Sequence, residues 1–552
     1  MELLEQHFDI AFAAPDGIKT LRGLILTLAM QGKLVEQDPN DPPASQLLRE
    51  IEAEKKRLVK EGKFKAPKLM LEIKPEERPY ALPKGWEWVR NGTLFGLKKG
   101  KVPKDLSDEP KEFPYLDIEA LDRGNIRRYT DDQKCPRTTE DDILVVCDGS
   151  RSGLVLDGKN GAIGSTLAVV ETPLFIQPFV KLIFKQGYER LNSTMKGAAI
   201  PHLDSANLVL EVIGLPPLPE QHRIIAKIDQ LMARCDELEK LRTDRDHKRH
   251  SVHAAALKQL LDAQARDSLA DAWQFINQHF GELYTVRENV IELRKTILQL
   301  AVMGKLVPQD PNDPPASQLL REIEAEQRRL VKEGKFKMPK AQPEIKQDEL
   351  PFSLPLGWQW VRLSGLAESI DYGTSQKTGE DSSQVPVYRM GNIVDGRLVD
   401  EGFKYIDHDI DELPRLYLKK NDILFNRTNS YELVGKSAIY DGRDEYATFA
   451  SYLIRVRLFG KHLLPVYFSL AMNAPYFRTT QIEPEIVQQC GQANFNGTKL
   501  SWCLVPLPPL PEQQRIVAKI DQLMELCDTL EQEIDAATDK QSKLLDAVMA
   551  QV

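Results

Sequence analysis

The sequence predicts an α+β protein in which two mixed α/β domains are separated by two antiparallel, coiled-coil-like helical spacers, with an internal pseudo-two-fold repeat. Three observations carry that reading. The stretch QDPNDPPASQLLREIEAE occurs twice without a change, at Gln37–Glu54 and Gln309–Glu326. A second pair, LPPLPEQHRIIAKIDQLMARCDELE from Leu215 and LPPLPEQQRIVAKIDQLMELCDTLE from Leu507, repeats nearly as closely. Between these blocks lie two segments with little mutual identity, yet both are built of short β-branched and aromatic runs bounded by Gly, Asp and Asn.

The first block sets the frame. Its offset of 272 (309 − 37) also maps Leu21 to Leu293, Ile25 to Ile297, Leu28 to Leu300, GKLV at Gly32 to Gly304, and LPKGWEWVR at Leu82 to LPLGWQWVR at Leu354. Ile18, Leu21, Ile25, Leu28 and Ala29 recur at helical spacing, and Gly32 stands where a left-handed C-cap ends a helix. Asp41 is placed as the N-cap, and Pro42 as the first residue, of a following helix over ASQLLREIEAEKKRL. The second block has an offset of 292 (507 − 215), so the second intervening segment is 20 residues longer.

In the first segment, strands are expected at EFPYLDI, DILVVCDG, STLAVVET and FVKLIF; in the second, at VPVYRM, DILFNR, KSAIYD and SYLIRVRL. Each segment ends in a Pro-rich exit that stops a strand and starts a helix. In the exit helices Ile224, Ile228, Leu231, Cys235 and Leu238 step by 4, 3, 4 and 3, as do Ile516, Ile520, Leu523, Cys527 and Leu530. This is a helix-pairing seam. Each exit helix shows no partner in its own half, so the two are expected to pair with each other. The resulting order is an N-terminal helical region (1–85), an insert (86–214), a central helical spacer (215–357), a second insert (358–506) and a C-terminal helix (507–552). Residues 244–285 are helical by composition, with no packing partner assigned.

The chain has 552 residues, enough for several cores. No apolar stretch of about 18 residues occurs, and MELLEQHFDI carries acidic residues where a secretion signal needs basic ones. A cytoplasmic protein with no membrane partner is expected. Six cysteines form no CxxC pair and read as reduced structural thiols. The net charge of −9 selects no partner, and acidic residues slightly outnumber basic ones in both inserts.

The run ILQLAVMGKLVPQDPNDPPASQLLREIEAE, the LPxGWxWVR element and the paired LPPLPEQxRI exits, in this order and in near-duplicate, resemble the DNA specificity subunits of type I restriction-modification systems. The resemblance implies that each insert is a target recognition domain reading one half of a bipartite, asymmetric site in double-stranded DNA. It implies that the frames dock two methyltransferase subunits, through which restriction and translocation subunits attach. On this reading the chain is non-catalytic and binds no cofactor, while S-adenosylmethionine, ATP and magnesium belong to the partners.

Base reading calls for donors and acceptors at groove edges. The first insert offers Ser150, Arg151, Ser152, Asn160, Ser165 and Thr166 in a Gly/Ser-rich loop pair after its DIL strand; the second offers Asn426, Arg427, Thr428, Asn429 and Lys436 after its own. A later pair of segments, KGAAIPHLD and CGQANFNGTKL, adds Asn494 and Asn496, which serve equally well as turn formers. NDPPA is a near miss to an adenine-methyltransferase motif, with Ala44 and Ala316 where a stacking aromatic should stand, and is better explained as a helix start. His247, His250 and His253 are expected on a solvated helix face. The rival reading is a coiled-coil scaffold that binds no DNA, which leaves two divergent folded inserts unexplained.

Overall fold

The computed structural model describes residues 13–65, 70–193, 202–337, 344–489 and 492–550. The chain forms two compact units, one of residues 1–244 with 538–552, the other of residues 245–537.

Unit 1 begins with α1 (Gly17–Met30) and α2 (Ala44–Lys60). Gly32 takes φ +69°, Gly32 N–H donates to Ala29 O and Lys33 N–H to Leu28 O, which satisfies the last carbonyls of α1 in a left-handed cap. The following α2 starts two residues later than expected: Pro43 occupies the N-cap, and Asp41 instead pairs with Arg223 at 2.6 Å. A carboxylate two residues outside the helix has a cation within reach and no helical amide to accept from.

The first insert is entered on β1 (Glu87–Arg90) and left on β10 (Val212–Leu215), which pair antiparallel with Glu87 opposite Leu215. Between them run β2 (Gly96–Lys99), β3 (Phe113–Leu116), β4 (Arg128–Thr130), β5 (Arg137–Thr138), β6 (Ile143–Val146), β7 (Val155–Asp157), β8 (Gly161–Ile163) and β9 (Leu167–Glu171). They make two four-stranded sheets, ordered β2-β9-β6-β7 and β4-β3-β8-β5. FVKLIF, expected as a strand, lies in the helix α3 (Gln177–Ser193). Phe179, Val180, Leu182, Ile183 and Phe184 are all buried, and a run apolar on every side is ambiguous between strand and helix. Pro178 in the first turn favours the helix.

Unit 1 shares the long helix α4 (Leu218–Asp262) with unit 2, which adds α5 (Arg266–Gln278), α6 (Arg287–Val302) and α7 (Ala316–Lys332). Its insert is entered on β11 (Gln359–Arg362) and left on β24 (Leu504–Leu507), paired in the same register as β1 and β10, Gln359 opposite Leu507. Inside, β12 (Ala367–Tyr372), β21 (Leu453–Leu458), β17 (Ile423–Asn426) and β19 (Ser437–Ile439) repeat the order of the first β2 sheet. The strands β16 (Lys404–Ile406), β13 (Val385–Tyr388) and β20 (Thr448–Phe449) repeat β4-β3-β8, parallel pair included. Two inserts with little common sequence thus share the order of these seven strands. The last helix, α8 (Leu510–Met549), begins in unit 2 and ends in unit 1.

The seams are filled within each unit, which corrects the expectation that the exit helices lack a partner in their own half. In unit 1, Ile224, Ile228 and Cys235 share a core with Ile25 and Ala29 of α1, and Arg22 reaches Asp236 at 2.6 Å and Glu239 at 3.0 Å. In unit 2, Ile516, Ile520 and Cys527 share a core with Leu293, Ile297 and Leu300 of α6, and Arg294 reaches Asp528 at 2.6 Å and Glu531 at 3.3 Å. Heptad spacing shows that a helix has a seam without saying which helix fills it; here the frame helices' own apolar stripe does. Leu238 falls outside the seam at 45% exposure, whereas its counterpart Leu530 is half-buried.

Each frame helix has a further neighbour. Leu545 and Val548 of α8 share a small core with Ala14 and Leu24 in unit 1. At the positions offset by 292, His253 and Ala256 of α4 are buried in unit 2, Ala256 in one core with Leu293 and Ile297. This places one face of residues 253–285 in a core, with Leu257, Leu260, Ala272, Ile276 and Leu283 buried beside Ala256. It also corrects the solvated-face reading of His253, which is 2% exposed, stands edge-on to Tyr284 at 5.1 Å between ring centroids, and has its pKa lowered by burial. His247 and His250 remain exposed.

A buried polar lock joins insert to frame in both units. Trp86 Nε1–H donates to Glu220 at 2.9 Å and Gln37 Nε2 to the other oxygen at 3.1 Å; Trp358 and Gln309 do the same to Glu512 at 2.8 and 3.1 Å. One difference lies nearby. Lys55, buried, donates to the carbonyls of Gly92 and Thr93, where the second frame has Gln327 donating to Gly365 O. Burial lowers the Lys55 pKa to about 8. A depressed lysine penalises the native state while both states are charged, below about pH 8, and the penalty fades as pH rises toward 10.5. Lys55→Gln should therefore stabilise unit 1 by up to about 3 kcal/mol at pH 7 and flatten the rise in stability between pH 8 and 10, as read by denaturant unfolding.

Candidate nucleic-acid interface

In each insert the segment after the DIL strand and the segment before the exit helix, separate in sequence, meet side by side. In the first insert Asp148 bridges to His202, and Leu203 N–H donates to Cys147 O at 2.7 Å. In the second, β18 (Thr428–Asn429) pairs with β23 (Gln492–Asn494), Thr428 opposite Asn494. Asp148 and Thr428 each lie six residues past the Asp of DIL, and His202 and Asn494 each lie two residues before a helix N-cap. These positions are equivalent.

A third position joins them from the end of the first sheet strand, Lys99 on β2 and Tyr372 on β12. Both precede a glycine pressed against backbone: a Cβ on Gly100 would strike the carbonyl oxygens of Ile163 and Gly164, and one on Gly373 those of Phe449 and Ala450. In the first insert, Lys99 Nζ lies 3.0 Å from Asp148 Oδ2, and His202 Nδ1 lies 2.6 Å from Asp148 Oδ1. Burial works to raise the Asp148 carboxyl, but hydrogen bonds from His202 and Lys99 outweigh it and hold it below the usual carboxylate value. The corresponding cluster in the second insert is uncharged. Thr428 Oγ1 donates to Asn494 Oδ1 at 2.9 Å, Tyr372 OH accepts from Gly497 N–H at 2.6 Å, and the Arg427 guanidinium lies 5.0 Å from the Tyr372 ring centre.

The sequence-chosen candidates divide by environment. Ser150 and Asn160 are exposed, and Arg151, Ser165 and Thr166 are half-buried, with Arg151 paired to Asp122 at 2.9 Å. Ser152 is corrected from a contact residue to a loop former: it is fully buried and its hydroxyl donates to Gly149 O at 2.8 Å. In the second insert Arg427, Asn429, Lys436 and Asn494 are half-buried. Asn426 is 2% exposed, with its amide oxygen unpartnered among the described residues, and Thr428 is 6% exposed; both face inward and serve the loop from within. Asn496 is exposed, but its side chain accepts from Lys499 N–H at 2.8 Å as a helix N-cap. Residues 194–201 of KGAAIPHLD and its flank, and Cys490 and Gly491 of the other segment, lie outside the described residues. Sequence reasoning missed Lys99, His202 and Tyr372. The basic run KKGK at Lys98 marked the first, and His202 stood inside a segment already singled out.

Two like inserts, each closed onto a repeated frame by a strand pair and each presenting different polar chemistry at the same place, define a two-headed recognition protein. The model of the type I restriction modification DNA specificity domain matches residues 83–245 and 355–538. The chain belongs to that family. It is 34% identical to the EcoAI specificity subunit of Escherichia coli over 96% of this chain and 93% of that one, and 32% identical to the EcoEI specificity subunit of Escherichia coli over the same shares. The crystal structure of the HsdS subunit from Thermoanaerobacter tengcongensis aligns with 85% of this chain and 98% of its own, at 19% identity and a TM-score of 0.38. Membership of the family favours the specificity-subunit reading over the scaffold alternative. No helix among the described residues is long and apolar enough to cross a membrane, and no group of His, Cys, Asp and Glu there could hold a metal ion.

Proposed function

We propose that this chain directs a type I restriction-modification complex to a bipartite, asymmetric site in double-stranded DNA, each insert reading one half. The observation that carries the reading is the pair of inserts with seven strands in one order and one closure but different side chains at the matched cluster. The near-identical frames supply two like docking surfaces, suited to two copies of a methyltransferase subunit, with restriction and translocation subunits attached through it. The chain itself is non-catalytic and works in the cytoplasm; S-adenosylmethionine, ATP and magnesium act on the partner subunits. The long helices α4 and α8 act as the antiparallel spacers between the inserts. Ser150, Arg151, Asn160, Ser165, Thr166, Arg427, Asn429, Lys436 and Asn494 are the loop residues offered to DNA. Because acidic residues slightly outnumber basic ones in both inserts, basic surface from the methyltransferase completes the phosphate contacts.

The test is the genome-wide adenine methylation pattern of cells with the chain and its methyltransferase, against cells lacking this chain alone. Loss of one split, asymmetric motif supports the reading. An unchanged pattern in cells that express the complex overturns it.

A further inference from the structure

We propose that the matched cluster at the strand end, Lys99 with Asp148 and His202 in the first insert and Tyr372 with Thr428 and Asn494 in the second, is a base-reading point in each half, selecting a G·C pair in the first and an adenine in the second. The inference rests on the reading of the chain as a DNA specificity subunit and deepens it.

The first cluster has the arrangement of a reading head. The Asp148 side chain is 15% exposed and lies beneath two side chains that are more than half exposed, Lys99 at 56% and His202 at 54%. An ionised carboxylate only accepts, so the 2.6 Å contact requires His202 to donate from Nδ1. In the neutral ring that leaves Nε2 as an acceptor. The ammonium of Lys99 has three N–H groups, and Asp148 is its only partner among the described residues. A donor and an acceptor are thus held side by side on one shielded carboxylate. In the major groove a G·C pair presents the acceptors O6 and N7 on guanine next to the N4 amino donor of cytosine. Lys99 serves the guanine and His202 Nε2 the cytosine. Asp148 is a positioning residue: it touches no base, offsets part of the lysine charge and fixes the imidazole tautomer.

The second cluster has a different complement. Thr428 occupies one lone pair of Asn494 Oδ1, which leaves the other lone pair and the amide N–H groups. An amide with one free acceptor and free donors matches the N6 donor and N7 acceptor of adenine. Tyr372, its hydroxyl fixed by Gly497 N–H and its ring beneath Arg427, forms the wall beside it.

The test is the adenine methylation motif written in cells by the complete complex carrying K99M, K99R, H202F or N494A. K99M and H202F should relax one G·C position of the first half-site to two or more base pairs, with the second half unchanged; N494A should relax one adenine of the second half only. K99R, which keeps the donor, should write the wild-type motif. If K99M abolishes methylation while K99R retains it, the cluster is still upheld. The inference is overturned if K99M and H202F write the unchanged motif at full stringency, or if K99M and K99R lose it alike. A wild-type chain that writes no split motif indicts the specificity reading itself, before any variant is compared.

Discussion

Replacing Ile516 with aspartate is expected to unfold unit 2 around its frame and abolish modification at every target. Ile516 is fully buried, in one core with Leu293, Ile297 and Leu300 of α6 and with the insert residues Phe425 and Val456. Because frame and insert share that core, damage at the seam reaches the recognition surface. A carboxylate placed in that apolar core loses its hydration and gives up the isoleucine's burial, a cost of more than about 4 kcal/mol. Against a typical total of about 5–15 kcal/mol this is decisive. Leu238→Asp, at a position with the same heptad phase, should change stability by less than about 0.5 kcal/mol, because that side chain is 45% exposed. Leu231→Asp and Leu523→Asp, at half-buried positions, should fall between the two. Thermal unfolding of the four variants checks the ranking; equal losses at Ile516 and Leu238 would refute the packing.

Exchanging the second insert alone, from the end of β11 to the start of β24, should change one half of the methylated motif and leave the other intact. The physical basis is the closure. Arg362 lies opposite Leu504 on the paired strands, so a foreign insert enters and leaves at adjacent points and imposes no strain on the frame. The lock of Trp358 and Gln309 on Glu512 lies outside the exchanged segment and stays in place. Motif sequencing of the exchanged chain reads the outcome, and a change in both half-sites would refute independent reading by the two inserts.

Much of this was legible beforehand because it was written twice. Any residue kept at an offset of 272 or 292 had to serve the frame, and the partners Arg22 with Asp236 and Arg294 with Asp528 follow those offsets. Strands with Gly and Asp boundaries were read correctly at DILVVCDG and SYLIRVRL. FVKLIF was not, since its burial on all sides erases the periodicity that tells helix from strand. The candidate surface was legible by segment but not by residue. Ser152 and Ser150 stand two apart in one loop, and only their burial separates a loop former from an exposed hydroxyl.

By itself, then, the sequence determined the repeat, the helical frames, the family and the two loop regions of each insert, because these rest on local pattern and on comparison of one half with the other. Tertiary structure alone decided which helix fills each seam, that His253 lies in a core, and that Lys99, Asp148 and His202 stand together. Those three residues are 49 and 54 positions apart along the chain. Their meeting depends on the pairing of β2 with β9 and β6 with β9, and on the bridge from Asp148 to His202, and long-range strand registry of that kind leaves no local mark in a sequence.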